Sequence, residues 1–538
     1  MTLIEQLRTQ KLTSFRIFLL LPAFLIFTSN GIFFDKIAEI YPWSMTNVIF
    51  LISLYIFHYG FILLLMLIFS FILPTRLVAS LFLILTASVS YYTNTMGVLI
   101  DVDMVSNMFQ TNFNEATDLL NLGFISHVLI LGVLPTVLIW IIPFQKMTIV
   151  NILKQKVLLT ISATAIMTLS IFSASSHFAS FFREHKSARY YMHPTSSIYA
   201  IGKYVKRQII ASQPHTFISI AKRSDINESY KHNELVILIV GETARADHFS
   251  LNGYSRNTNP RLSTEERLIS YSDISSCGTA TAISVPCMFS YSDRKSFDKN
   301  SADYTENALD ILSKAGVSIL WRDNNSDSKG VANRIAYQDY QSPSVNPDCD
   351  TECRDTGMLD GLQDYIDSQP GDILIILHSM GSHGPAYYKR YPKEFERFKP
   401  ACKTLELSQC SDEEITNAYD NTILYTDYFV SRAIELLKQN TPKYETTLFY
   451  ISDHGESLGE SGVYLHGMPY FLAPEQQTKV PIIAWVGSSS DIDFEKSLTL
   501  KDVSNSHDAV FSTLNALFEV ETDLHNTNAK PLVYFDSE

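Results

Sequence analysis

Hydropathy divides the chain into two regions. Apolar runs occupy residues 17–34, 48–73, 77–99, 124–144 and 157–172, each close to the roughly 17–25 residues that a helix needs to span a bilayer. They predict five membrane helices within residues 1–176. From Glu234 onward the pattern changes. Short apolar runs at 236–240, 317–320, 373–377, 447–451 and 480–485 alternate with longer polar and amphipathic segments. That alternation predicts a mainly parallel sheet with helices on both faces. The expected fold is therefore a five-span α-helical membrane domain (residues 1–176) followed by an α/β domain (residues 233–538).

Residues 177–232 bridge the two and are locally basic, with Arg183, Lys186, Arg189, Lys203, Lys206, Arg207, Lys222 and Arg223. Within the bridge Ile198, Ile201, Val205 and Ile209 recur at helical spacing after Pro194. Such a helix suits either a membrane surface or the side of the α/β domain.

Basic residues orient the membrane part. Arg8, Lys11 and Arg16 precede the first run, Arg76 separates the second from the third, and Lys146, Lys154 and Lys156 separate the fourth from the fifth. The opposite loops carry mainly acids such as Asp35, Glu39, Asp101 and Asp103. Positive charge marks the cytoplasmic side, so an odd number of spans exports everything after about residue 173. The first run is long and has no small-residue cleavage site, which argues against a cleaved signal peptide.

All six cysteines (Cys277, Cys287, Cys349, Cys353, Cys402 and Cys410) follow the last span as three close pairs. Disulfides in an oxidising compartment are the expected reading. A zinc cluster is the competing one, and the uneven spacing and the lack of a nearby His at Cys402 and Cys410 argue against it. The formal net charge of −14 argues against a nucleic-acid partner, and any anionic substrate has to be attracted by local charge or metal.

Candidate chemistry clusters at strand ends. Glu242 follows the 236–240 run, His383 follows 373–377, and Asp453 and His454 follow 447–451. The carboxyl edge of an open α/β sheet is where ligands bind. A carboxylate there is by itself more often a helix cap, but adjacent Asp453 and His454 on a tight turn can both reach one ion. With a hydroxyl from the Ser276–Thr281 stretch, the set suits a zinc site beside a nucleophile.

Five stretches carry a family resemblance: Val240-Gly-Glu-Thr-Ala-Arg245; Ser276-Cys-Gly-Thr-Ala-Thr-Ala-Ile-Ser-Val-Pro-Cys-Met-Phe-Ser290; Leu320-Trp-Arg-Asp-Asn-Asn-Ser-Asp-Ser-Lys-Gly330; Gly381-Ser-His-Gly-Pro-Ala386; and Ser452-Asp-His-Gly-Glu-Ser-Leu-Gly-Glu460 with Tyr464-Leu-His-Gly-Met-Pro469. The whole chain resembles the membrane phosphoethanolamine transferases that modify lipopolysaccharide, including lipid A transferases and mobile colistin-resistance enzymes. The resemblance implies five spans in a Gram-negative inner membrane and a periplasmic domain like that of alkaline phosphatases and sulfatases.

It also implies that Thr281, the second Thr of Cys-Gly-Thr-x-Thr, is the nucleophile, and that Glu242, Thr281, Asp453 and His454 surround a catalytic Zn2+. Lys329, His383 and His466 would hold the transferred phosphate or a second zinc. Asn107, Thr111 and Glu115, spaced i, i+4, i+8 and so on one helical face, would hold the ethanolamine head group. The implied reaction takes phosphoethanolamine from phosphatidylethanolamine through a phospho-threonine to lipid A phosphates, and with it comes polymyxin resistance. Membrane lipids and lipopolysaccharide are the implied partners. A core or Kdo sugar as acceptor, a tethered phosphodiesterase or sulfatase, and a metal sensor without turnover are the alternatives. Thr281 cannot become the formylglycine of an ordinary sulfatase.

Overall fold

The computed structural model describes residues 11–45, 47–110, 113–213, 215–226, 232–441, 443–524 and 529–535. Its contacts separate two compact units, one of residues 1–105 and 120–206, the other of residues 106–119 and 207–538.

The first unit is helical. Val48–Ile72, Thr75–Met96, Leu122–Ile141 and Ile149–Ser173 are each long and apolar enough to cross a membrane, and the bent pair Ser14–Ser29 and Gly31–Ile40 makes a fifth if it counts as one span. The pair bends by 68° where a single straight run was expected. Asn30 causes the break: its Nδ2 donates to Leu25 O (3.1 Å) and His193 O (3.0 Å), and its Oδ1 accepts from His193 N (2.9 Å). A side-chain amide satisfied by neighbouring backbone replaces helix bonds. The bridge forms the helix Thr195–Ala211, on which Val205 and Ile209 are exposed.

In the second unit the strands are β1 (Ser224–Ile226), β2 (Glu234–Gly241), β3 (Leu268–Ser275), β4 (Ser318–Asp323), β5 (Ala336–Asp339), β6 (Ile373–His378), β7 (Glu445–Ser452), β8 (Ser457–Leu458), β9 (Tyr464–Leu465), β10 (Lys479–Val486), β11 (Asn505–Ser506) and β12 (Val520–Thr522). Eight of them form one sheet in the order β11-β3-β10-β7-β2-β6-β4-β5. Neighbours pair in parallel except at β10, which runs antiparallel to both β3 and β7. The carboxyl ends of β2, β3, β4, β6 and β7 therefore share one edge. Every residue of β2 and β6 is buried, as expected for strands covered on both faces. Val236, Leu238 and Val240 pack with Leu309, Leu312, Phe511 and Leu514 on one face. The 29-residue helix Asp412–Asn440 packs on β7 and β2 and starts at a Ser411–Glu414 capping box.

The opposite edge carries a stored cost. Glu234 opens β2 only 8% exposed, and burial, with Glu445, Asp491, Asp372 and Glu519 nearby, pushes its carboxyl up to about 10. A folded-state pKa above the unfolded value contributes stability at low pH that is lost as pH rises from the ordinary carboxylate range toward 10. Glu234→Gln is expected to raise the thermal midpoint at pH 8 by a few degrees, on the order of 2 kcal/mol, with the gain shrinking toward pH 5. Thermal melts at the two pH values check it, and a larger gain at pH 5 would contradict it.

Candidate active site

Five strand ends supply the site. Glu242 follows β2 and is completely buried. The loop after β6 packs against its backbone: Ser382 N donates to Glu242 O at 3.0 Å, and Gly381, at φ +52°, has no room for a Cβ, which would lie 2.7 Å from the same oxygen. Asp453 and His454 follow β7, with Asp453 N donating to Gly241 O at 2.9 Å. Thr281 is the first residue of the helix Thr281–Met288. That helix follows the loop from β3, and the Cys277–Cys287 disulfide ties its end to the loop. Cys349–Cys353 and Cys402–Cys410 are also bonded and no cysteine is free, which excludes the zinc-cluster reading.

The side chains converge. Thr281 Oγ1 donates to Glu242 Oε2 at 3.0 Å and lies 3.4 Å from His454 Nε2. His454 Nε2 lies 3.3 Å from Glu242 Oε1 and 3.4 Å from Asp453 Oδ2. His454 Nδ1 faces Gly455 O at 2.9 Å, so Nδ1 carries the proton and Nε2 presents a lone pair to the cluster. Burial lowers the imidazole to about 4, which keeps it neutral. Burial raises Asp453 to about 7, and burial followed by the Asp453 charge raises Glu242.

A metal fits this group. Glu242 Oε1 and Asp453 Oδ2 are buried with no hydrogen-bond partner, and an imidazole lone pair faces both. Three buried acceptors without a donor are costly unless a cation satisfies them. Two carboxylates, one imidazole and an alcohol oxygen make a four-member N/O donor set of the kind zinc takes.

A second group of Glu242, His383 and His466 also has ligand atoms within 4.8 Å of one another. His466 Nδ1 pairs with Glu456 Oε2 at 2.8 Å, and Glu456 Oε1 accepts from Tyr387 Oη at 2.7 Å. That pair turns His466 Nε2 toward the site, and its ring centroid lies 4.3 Å from that of His454 and 5.3 Å from that of His383. His383 Nδ1 is buried without a partner. Lys329 Nζ donates to Ser326 O at 2.6 Å, on a turn where Lys329 has φ +51°, and Ser326 Oγ donates to Asn325 Oδ1 at 2.9 Å. Asn107 lies in the helix Val102–Gln110, whereas Thr111 and the Glu115 side chain lie outside the described residues.

Several residues in the site escaped the sequence reading. Asn325 Nδ2 donates to Glu242 Oε2 at 2.8 Å and to Ser379 O at 2.9 Å, fixing the carboxylate. His378 Nδ1 bonds Asp323 Oδ2 at 2.8 Å, Trp321 Nε1 donates to the same oxygen at 2.8 Å, and His378 Nε2 is left without a partner. His507 Nδ1 accepts from Cys277 N at 3.1 Å, bracing the loop before Thr281. Asp323 and His378 end β4 and β6, and strand-end position was the signal that could have found them.

Two family models match the chain. One, described as phosphoethanolamine transferase EptA/EptB, covers residues 57–209, and the other, described as sulfatase, covers residues 234–520. The chain is 43% identical to phosphatidylethanolamine transferase Mcr-1 of Escherichia coli over 512 residues, covering 93% of this chain and 94% of that protein. It is 37% identical to phosphoethanolamine transferase EptA of E. coli K12 over 515 residues, 94% of each. Among solved structures, the integral membrane lipooligosaccharide phosphoethanolamine transferase A from Neisseria meningitidis superposes with a TM-score of 0.90 at 32% identity, covering 95% of this chain and 97% of that one.

Proposed function

The chain belongs to the EptA/EptB phosphoethanolamine transferases, integral membrane enzymes with a periplasmic soluble domain, and from that premise we propose that it moves phosphoethanolamine from phosphatidylethanolamine to lipid A phosphates by way of Thr281. The observation that carries this reading is the placement of Thr281 Oγ1 against both Glu242 and His454. The donor follows from the name of the Mcr-1 relative and the acceptor class from that of the Neisseria neighbour.

In the first step Thr281 Oγ1 attacks the phosphorus of the donor, and the bond to the diacylglycerol oxygen breaks. Glu242 Oε2 accepts the hydroxyl proton, since it already accepts that hydrogen bond. Glu242, Asp453 and His454 would hold a zinc ion, whose Lewis acidity would make the Thr281 hydroxyl a better nucleophile. The amino-terminus of the Thr281–Met288 helix, with Thr281 as its first residue, would favour the negative charge of the phosphoryl oxygens. The hydrogen-bonded Glu456–His466 pair holds the proton that the departing glycerol oxygen takes up. In the second step an acceptor phosphate oxygen attacks the phosphorus as its proton passes to the Glu456–His466 pair, the bond from phosphorus to Thr281 Oγ1 breaks, and Thr281 takes back the proton held by Glu242.

Mass spectrometry of lipid A and core oligosaccharide from cells with and without the gene tests the acceptor. Phosphoethanolamine is expected on lipid A, with a matching gain in polymyxin resistance. Addition confined to the core or Kdo sugars would replace the lipid A reading with the sugar acceptor.

A further inference from the structure

The amino ends of the parallel strands gather a second set of acids, at the sheet edge opposite Thr281. Glu234 and Glu445 open the neighbouring strands β2 and β7 and stand side by side in register. Asp491, in the loop after β10, joins them: its N–H donates to Glu445 Oε2 at 3.0 Å. One carboxylate oxygen from each of the three lies within 4.8 Å of the other two. Asp372 stands beside the group, where its Oδ1 accepts from Glu234 N at 2.8 Å. None of these residues belongs to the group around Thr281.

Acids gathered on a solvated surface are ordinary, but a buried one is rare unless it is paired. Glu234 is 8% exposed, and among the described residues neither a hydrogen-bond donor nor a cationic side chain reaches its carboxylate. A carboxyl in that position costs free energy, and the residues that follow it in β2, Leu-Val-Ile-Leu-Ile-Val-Gly, show that the strand otherwise takes only apolar residues and glycine. A divalent cation among the three oxygens would remove the cost of the unpaired carboxyl and the repulsion between the acids together. The donor set holds oxygen alone, without imidazole or thiolate, which selects a hard cation. Calcium takes roughly six to eight oxygens in flexible geometry and completes its shell with water, whereas magnesium demands a near-ideal octahedron.

We propose that Glu234, Glu445 and Asp491 form a structural calcium site that clamps the amino ends of β2 and β7 to the loop after β10. These two strands run in register from Glu234 and Glu445 to Gly241 and Ser452, and Glu242 and Asp453 come directly after. A cation at one end of the strand pair thus fixes the register that sets Glu242 beside Asp453 at the other. The stability gain expected for Glu234→Gln at pH 8 belongs to the calcium-free protein. With the ion bound the wild type melts higher, because the substitution removes a ligand.

The test uses the zinc-loaded full chain in detergent micelles, with calcium chloride as the probe. Equilibrium dialysis against radiolabelled calcium is expected to show one saturable ion per chain, with a Kd on the order of 10⁻⁴–10⁻³ M. Calcium well above that range should raise the thermal midpoint by about 3 °C, in proportion to the logarithm of its concentration. Magnesium at the same concentration should give less than about half that shift. Glu234→Gln and, should that variant not fold, Asp491→Asn at the half-buried rim are each expected to weaken calcium binding at least tenfold and to abolish the shift. Asp453→Asn, at the other edge, should keep both. The absence of saturable calcium from the wild type, undiminished binding in Glu234→Gln or Asp491→Asn, or loss of binding in Asp453→Asn, which would put the ion at the Thr281 edge, would each overturn the site. An equal shift with magnesium would overturn the choice of calcium.

Discussion

Thr281→Ala is expected to abolish both the covalent intermediate and lipid transfer, with a rate loss on the order of 10⁴-fold or more. The size follows from geometry. Thr281 Oγ1 is the alcohol oxygen placed against both Glu242 Oε2 and His454 Nε2, and Thr279, the other hydroxyl of the motif, is committed to Met468 O at 2.6 Å. Removing Thr281 Oγ1 leaves the metal ligands, the helix N-terminus and the histidines in place without an atom to attack phosphorus. Intact-mass measurement on wild type incubated with phosphatidylethanolamine should show one phosphoethanolamine adduct, absent from Thr281→Ala. Thr281→Ser, which keeps the oxygen, should retain the adduct. An adduct of equal yield on the Ala variant would remove Thr281 from the mechanism.

How much of this was legible in the sequence depends on which side of the sheet a residue serves. The strands β2, β6 and β7 are buried on both faces, so Leu235–Val240, Ile373–Leu377 and Leu448–Ile451 are unbroken apolar runs and the residues that follow them stand out. Strand β3 reads Leu268-Ile-Ser-Tyr-Ser-Asp-Ile-Ser275 with only Ile269, Tyr271 and Ile274 buried, and a register shift between Tyr271 and Ile274 breaks the period-2 pattern among its polar residues. Strand β5 is fully exposed and β11 is two residues long, so neither carries an apolar signal. Missing β3 mattered, because its parallel direction is what delivers the Thr281 loop to the same edge as Glu242 and Asp453.

Local chemistry read better than long-range chemistry. Asp453-His454 were recognised because they are adjacent. The break in the first span was signalled by Ser29-Asn30-Gly31, a breaker sequence inside an apolar run, but run length alone hid it. Asp118 and Arg390 are 272 residues apart, and Asn325 reaches Glu242 across 83. No periodicity or spacing encodes such pairs. The Asn325–Glu242 pair exists because parallel strands β2, β6 and β4 end side by side.

The second large effect concerns the metal ligands. Replacing Glu242, Asp453 or His454 singly is expected to lower transfer by at least 10²-fold and to reduce bound zinc, since a four-ligand site missing one ligand is open and weak. Exhaustive chelation should silence the wild type and added zinc should restore it, whereas the variants should not recover. Full activity in chelated, metal-free protein would refute the assignment. Stability adds an independent readout with the opposite sign. Without metal, Glu242 Oε1 and Asp453 Oδ2 face each other across a buried space with no donor, and burial raises Asp453 to about 7. An acid whose folded pKa is raised stabilises the fold below its unfolded value and loses that contribution as pH climbs from the ordinary carboxylate range through 7. Chelated Asp453→Asn should therefore melt above chelated wild type at pH 8, with the gap narrowing at pH 5. With zinc present the order should reverse, because only the wild type gains the binding energy of the ion. This crossing separates a site built around a cation from a hydrogen-bonded cluster, in which the same substitution would be destabilising under both conditions.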